Sequence, residues 1–213
     1  MKEIIDEDRA TSEPEEFIVF ADDFGNAIGT GRKSESHNSD TYLHLAFSIF
    51  LFNSRGELLL QQRSFGKKTW PGAWSNSCCG HVGPGESVYD ACARRLRYEL
   101  GLVDIDLVVA LPDFRYRAEL NGIVENEICP VLIGFTDQEP KINPDEVESV
   151  RWIDWQKLVE KVENPASGIS PWAVDEVKLL AASKLFRSEY AAKTNSIRGI
   201  LRRTDKNNPE YSQ

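Results

Sequence analysis

Within ten residues, Ser77-Cys78-Cys79-Gly80-His81-Val82-Gly83-Pro84-Gly85-Glu86, the chain sets a thiol, an imidazole and a carboxylate together. A Cys beside a His suits nucleophile and base chemistry, whereas imidazole with carboxylate suits a divalent ion such as Zn²⁺, Mn²⁺ or Fe²⁺. The three histidines of the chain are His37, His44 and His81. In an extended segment from Ile123 to Cys129, Glu125 and Glu127 share one face, so they are either a pair of surface acids or the carboxylates of such an ion site. Three imidazoles and two carboxylates would fill most of an octahedral shell. The four cysteines, at 78, 79, 92 and 129, fit neither a disulfide framework nor a CxxC metal spacing, and Cys92 and Cys129 read as small buried apolar residues.

The elements that would carry these residues follow from pattern. Phe17 to Ala21 reads as a strand, Asp22 to Asn26 as a turn, and Gly29 to Asp40 as a polar loop. Tyr42 to Phe52 and Glu57 to Arg63 flank the turn Asn53-Ser54-Arg55-Gly56, which predicts a hairpin at the heart of the sheet. A basic loop from Gly66 to Gly72 precedes a short strand within Ala73 to Gly80. Ser87 to Leu100 is a helix that Gly101 stops. Val88, Cys92, Arg95, Leu96 and Glu99 fall on one of its faces, so Arg95 and Glu99 are either a partly exposed pair or charges aimed into a site. Asn121-Gly122 is a hairpin turn between a strand through Asp113 to Ala118 and another from Ile123 to Phe135. A short strand Ser149 to Ile153, a helix from Asp154 to Val162 and a last helix of about fifteen residues after Pro171 complete an α+β, mixed-sheet domain.

Composition sets the bounds. A chain of 213 residues, 41% hydrophobic and 28% charged, is long enough for one domain with a sizeable core. The net charge of −9 argues against a nucleic-acid surface, so an anionic ligand must meet a local basic cluster. No apolar run is long enough to cross a bilayer, and the acidic start is unlike a signal peptide; the expectation is a cytoplasmic protein. Residues 1–16, with seven acids and two bases, read as a loose leader, 17–187 as the domain, and 188–213 as a polar tail.

Gly80, five residues, Glu86, seven residues, Arg94, then Arg95-Leu96-Arg97-Tyr98-Glu99-Leu100-Gly101-Leu102 resembles the Nudix box, in which clustered helix acids hold Mg²⁺ against a diphosphate. Arg95 and Tyr98 stand where that box has glutamates, which favours the Nudix fold and disfavours hydrolysis. With His37-x6-His44-Leu45-Ala46-Phe47, Lys67-Lys68-Thr69-Trp70-Pro71-Gly72, Cys79-Gly80-His81, Phe114-Arg115-Tyr116-Arg117-Ala118, Glu125-Asn126-Glu127-Ile128-Cys129-Pro130 and Ser170-Pro171-Trp172, residues 17 to 180 resemble type I isopentenyl-diphosphate δ-isomerases.

That resemblance implies isomerisation of isopentenyl diphosphate to dimethylallyl diphosphate in isoprenoid biosynthesis. It implies that His37, His44, His81, Glu125 and Glu127 bind Mn²⁺, Zn²⁺ or Mg²⁺, that Cys79 and Glu127 exchange the two protons, and that Tyr116 assists the relay. Trp172 would lie over the developing cation, while Lys33, Arg63, Lys67 and Arg95 would contact the diphosphate and Glu99 a second Mg²⁺. No flavin or nicotinamide is implied, and the chain lacks a Gly-x-Gly-x-x-Gly loop. A Nudix diphosphate hydrolase and a silent metal-binding Nudix module are the alternatives. The oligomeric state is not readable.

Overall fold

One strand organises the sheet. His44–Phe52 (β3) is a run of nine residues, mostly apolar and buried along almost its whole length, as a central strand covered on both faces must be. In the computed structural model, which describes residues 15–194, β3 pairs with five other strands. On one edge it meets Phe17–Ala21 (β1), Glu57–Arg63 (β4) and Cys78–His81 (β6), all antiparallel. On the other it runs parallel to Ile123–Ile128 (β9) and Val131–Phe135 (β10). Ala27–Arg32 (β2) extends β1, Trp74–Ser75 (β5) and Val147–Asp154 (β11) pair with β4, Leu107–Leu111 (β7) pairs with β10, and Arg115–Leu120 (β8) with β9.

Because side chains alternate along a strand, β3 feeds two cores. Phe47, Ile49 and Leu51 pack with Cys78 and with Ala91, Cys92, Leu96 and Leu100 of the helix Val88–Leu100 (α2). Ala46, Phe50 and Phe52 face the opposite layer, where Trp155–Val162 (α3) and Pro171–Ala182 (α4) supply Leu158, Trp172 and Val177. The helices start and stop where sequence chemistry dictates. Ser87 caps α2 by accepting from the Asp90 N–H, and Gly101 ends it in the left-handed region at φ 63°. Asp154 caps α3 by accepting from the Lys157 N–H. Asn121 and Gly122, both at positive φ, make the tight turn between β8 and β9.

Several expectations need correction. The stretch from Gly29 to Asp40 is not all loop: it carries the end of β2 and the short helix Lys33–Ser36 (α1). β2 is mostly exposed and carries two glycines, so only its pairing with β1 makes it a strand. The single strand expected over 123–135 breaks at Cys129-Pro130, because proline cannot donate to the ladder; β9 ends, and the Pro130 carbonyl accepts from the Ser48 N–H instead. The last helix stops at Ala182, twelve residues long, and a further helix (α5) spans 184–194. The tail expected from 188 is therefore helical through 194. In that stretch the Tyr190 hydroxyl donates to the Gly56 carbonyl at 2.7 Å, and its ring packs edge-on to Phe52 at 5.3 Å. Residues 1–14 of the leader and 195–213 of the tail lie outside the described residues. Tyr190→Ala is expected to lower stability by about 2 kcal/mol, read as a drop in thermal midpoint.

Candidate metal and anion site

The pairing of β3 assembles the chemistry. His44 lies opposite Glu127 of β9, Ala46 opposite His81 and Ser48 opposite Cys79 of β6. These alternate residues share one face, so His44, His81, Glu127 and Cys79 converge from three strands. Cys78, one residue off, points into the α2 core, leaving Cys79 as the thiol that enters the cavity. The cavity has a volume of ≈ 420 Å³.

His37, on the residue after α1, joins His44 and His81 in a near-equilateral triangle, with ring centroids 5.2, 5.2 and 5.0 Å apart. Ligand atoms of these three and of Glu125 all lie within 4.8 Å of one another. Glu127 Oε1 stands 3.5 Å from His44 Nε2 and 3.3 Å from His81 Nε2, and Glu125 Oε2 stands 3.1 Å from His37 Nε2. His44 Nδ1 is held by the Tyr42 carbonyl at 2.8 Å and His37 Nδ1 by the Lys33 carbonyl at 3.3 Å, which directs each Nε2 lone pair inward. His37 Nε2, His44 Nε2, both nitrogens of His81 and Glu125 Oε2 are buried and without a hydrogen-bond partner. Unpaired buried lone pairs of this kind are a donor set for a cation, and imidazole with carboxylate fits a borderline or hard divalent ion. Burial drives His81 down to about 4, so it is neutral at physiological pH. For His44 burial acts downward, but the Glu127 carboxylate facing its Nε2 at 3.5 Å raises it. Glu127 is destabilised by burial, yet His44 and His81 hold its carboxyl well below the usual range.

Tyr116 is opposite Glu127 in the β8–β9 ladder and reaches the same cavity. Trp172, on the first turn of α4, lies against Tyr116 with centroids 5.6 Å apart and meets Trp70 edge-on at 5.2 Å. Its indole N–H donates to Ser75 Oγ at 3.0 Å. The cavity wall beside the thiol is thus aromatic.

The other end is basic. Arg95 is 1% exposed, and Glu99 accepts from its Nε and Nη2 at 2.9 and 2.7 Å. Glu16 and Glu146 stand 3.1 and 3.2 Å from the same guanidinium. Lys33 pairs with Glu16 and Lys67 with Glu146. Arg63 is anchored to the Thr69 carbonyl and hydroxyl, both at 3.1 Å, with its guanidinium 5.6 Å from the Trp172 ring. All four expected cations therefore line one cavity with the His/Glu cluster. Glu99 lines the same cavity; its Oε1 accepts twice from Arg95 and its Oε2 once from Gln61 at 2.6 Å, which leaves a lone pair of Oε2 for the Mg²⁺ role expected of it. Glu86, in the opening motif, accepts from Arg94 and from the Gly83 N–H outside the cavity, and Arg94 in turn donates to the His81 carbonyl at 3.1 Å.

Sequence reasoning missed Glu16, Glu146 and Asn76. Glu16 sits at the end of the acidic leader, where nothing suggested a site, and no local pattern distinguishes it from its six acidic neighbours. Asn76 Oδ1 accepts from Cys79 Sγ at 3.0 Å, while its Nδ2 donates to Ser48 Oγ and the Cys78 carbonyl, both at 2.8 Å.

The NUDIX domain profile matches residues 42–173. The isopentenyl-diphosphate Delta-isomerase of Saccharopolyspora erythraea is 51% identical over 178 residues, 83% of this chain and 92% of that protein. The chain belongs to the isopentenyl-diphosphate Delta-isomerase family. A second family member, from Citrobacter koseri, is 44% identical over 82% of this chain and 97% of its own length. The fold is shared with DR0079 from Deinococcus radiodurans, which superposes with a TM-score of 0.62 at 18% identity, over 76% of this chain and 98% of that one.

Gly80 lets α2 press onto β6. A Cβ there would meet Phe47 Cζ at 2.8 Å and Arg95 Cγ at 2.9 Å. Gly80→Ala is expected to cost about 1–3 kcal/mol of stability and, by displacing Arg95, to weaken inorganic diphosphate binding roughly tenfold in calorimetry.

Proposed function

We propose that this cavity converts isopentenyl diphosphate to dimethylallyl diphosphate, the reaction of the isoprenoid pathway that gives the family its name. The observation that carries the reading is the placing of the Cys79 thiol and the Glu127 carboxyl on opposite edges of β3, in one aromatic-walled cavity with a basic end. The enzyme is an isomerase of the Nudix fold acting on a small diphosphate.

The diphosphate is recognised by Lys33, Arg63, Lys67 and Arg95. Arg95 presents a planar fork suited to two phosphate oxygens, and the carboxylates now facing these cations would yield to the stronger, multiply charged anion. His37, His44, His81, Glu125 and Glu127 would hold a divalent ion, which supplies positive charge that acidifies a coordinated carboxyl. The reactive state carries the pair's one proton on Glu127 and leaves Cys79 ionised; from it Glu127, with Tyr116 beside it, gives that proton to the terminal alkene carbon, so that the C3=C4 π pair becomes the new C4–H bond, Glu127 is left as carboxylate and C3 is left electron-deficient. Cys79, as thiolate, then takes a proton from C2, and the C2–H pair becomes the C2=C3 π bond. The raised affinity of Cys79 for a proton, caused chiefly by its burial, makes its thiolate a strong base. Trp172 offers a π face to the cationic centre, a stabilisation of about 1–2 kcal/mol that adds no nucleophile. The aromatic wall excludes water that would trap the cation.

Cys79→Ala and Glu127→Gln are each expected to lower kcat by more than about a thousandfold while leaving the thermal midpoint near that of the parent. Cys78→Ala is expected to be mild. Incubation with isopentenyl diphosphate in D₂O, followed by NMR, should give deuterated dimethylallyl diphosphate; release of phosphate without isomerisation would show hydrolysis instead.

Burial and the neighbouring cations Lys33, Arg63 and Arg95 pull Lys67 down to about 7, against the attraction of Glu99. A lysine with a lowered value loses its charge as pH rises through that value, so KM should rise about threefold to tenfold from pH 6 to pH 8. Lys67→Arg, which stays charged, should flatten that rise in steady-state kinetics.

A further inference from the structure

Trp172 supplies the aromatic face of the reaction, yet its ring contacts do not by themselves fix how that ring is turned. Tyr116 lies 5.6 Å from it and Trp70 meets it edge-on at 5.2 Å, and aromatic pairs tolerate a range of offsets. The polar handle is the indole N–H. It sits among hydroxyls where the chain before α4 meets β5: the Trp74 N–H donates to the Gly168 carbonyl, and the Ser170 N–H donates to the Trp74 carbonyl at 2.8 Å. Ser170 holds the N-cap position of α4, where a serine ordinarily accepts from a free N–H of the first turn, but its side chain makes no capping bond. Its hydroxyl lies 2.9 Å from Ser75 Oγ instead, and both serines are buried.

Donor and acceptor roles in this cluster follow from counting. A hydroxyl has one hydrogen and two lone pairs. The Ser75 hydrogen goes to Asn76 Oδ1 at 2.7 Å. One lone pair of Ser75 Oγ accepts from Trp172 Nε1 at 3.0 Å and the other faces Ser170, which must therefore be the donor of that pair. Ser75 Oγ is then saturated and its direction is fixed. Asn76 is fixed in turn: its amide nitrogen donates to Ser48 Oγ and to the Ile49 and Cys78 carbonyls, and its oxygen also accepts from Trp172 Nε1 at 3.3 Å. The capping bond that Ser170 forgoes is replaced by one that orients the acceptor of the indole N–H.

We propose that Ser75 is a positioning residue for Trp172: together with Ser170 it anchors the indole N–H and so turns the face of the ring, not its edge, toward the electron-deficient carbon. The face of an aromatic ring is negative and its edge positive, so an indole turned out of this position would present N–H or C–H groups to the cation and oppose it. Ser170, which the sequence sets directly before Pro171 and Trp172, has its part here as the donor that completes the Ser75 hydroxyl. The inference rests on Trp172 facing the cationic centre in the isomerase reaction.

The test uses the full-length, metal-loaded enzyme. Ser75→Ala is expected to lower kcat roughly tenfold, the worth of one cation–π contact, with KM for isopentenyl diphosphate within about twofold of the parent because the basic end is untouched. Ser75→Thr keeps the hydroxyl and should hold kcat within roughly threefold. Trp172→Phe keeps an aromatic face but has no N–H, so Ser75→Ala introduced into it should cost nothing further. Heteronuclear NMR of the chain's five indoles, with Trp172 identified by its loss in Trp172→Phe, should show its N–H shifted and exchanging faster with solvent in Ser75→Ala and restored in Ser75→Thr. Should Ser75→Ala fail to fold, Ser170→Ala, which takes one partner from Ser75 Oγ, runs the same cycle, with roughly a threefold loss of kcat that is again absent in the Trp172→Phe background. Parental kcat in Ser75→Ala or Ser170→Ala, an equal loss in the Trp172→Phe background, or an unmoved Trp172 signal would overturn the proposal. A parent enzyme that fails to isomerise would instead reject the isomerase reading, and the indole signals would still decide whether Ser75 holds Trp172.

Discussion

Three imidazoles and two carboxylates gathered out of water around one point are costly unless something compensates them. Partial compensation exists within the chain: Glu127 is paired with His44 and His81, and Glu125 with His37. Yet His81 is driven neutral, and five ring and carboxylate atoms are left without hydrogen bonds. A group of donors held this way is stable in a folded protein when a cation completes it. Two of the β3 pairings deliver members of the set to the side of His44: His81 through β6 and Glu127 through β9. Moving any of those strands by one residue would turn its ligand to the opposite face.

The basic end obeys a related constraint. A fully buried guanidinium without anions would be destabilising by several kcal/mol, and Arg95 meets Glu16, Glu99 and Glu146. In the Nudix box that position is an acid. Replacing it with arginine changes the helix from one that collects cations into one that receives an anion, while Glu86 and Arg94 keep a purely structural part by fastening the loop to the helix and gripping the His81 carbonyl. The cluster that could hold a metal ion lies instead on the sheet, with His37 beside it. The two ends of the cavity have complementary demands, one for a cation and one for a diphosphate, with the aromatic wall and the Cys79 thiol between them.

Much of this was legible in the sequence because it depends on local periodicity. Alternation placed Glu125 and Glu127 on one face and Cys78 and Cys79 on opposite ones; the helical repeat put Arg95 and Glu99 on the apolar face and left open whether they point into a site; Ser87, Gly101 and Asn121-Gly122 marked their caps and turn. What was not legible depends on contacts between distant segments. β2 has an exposed sequence with two glycines and is a strand through its pairing with β1. Glu16 belongs to the site because the chain entering β1 passes beside Lys33 and α2, which no feature of an acidic leader reveals. α5 reads as polar, and its attachment rests on Phe186 and Tyr190 meeting Phe52. The network that Asn76 makes with Ser75, Ser48, Cys79 and Trp172 joins β5, β3, β6 and α4 and has no sequence signature.

The central claim is that the His/Glu cluster is a metal centre on which the acid–base chemistry is built. It is tested most directly by titrating the metal-stripped, full-length chain with Mn²⁺ and recording pulsed electron paramagnetic resonance of the bound ion. The expected result is one tight equivalent whose spectrum carries nitrogen couplings from imidazole ligands, weakened in His44→Ala. Weak binding, or a tightly bound ion with no nitrogen coupling, would contradict it.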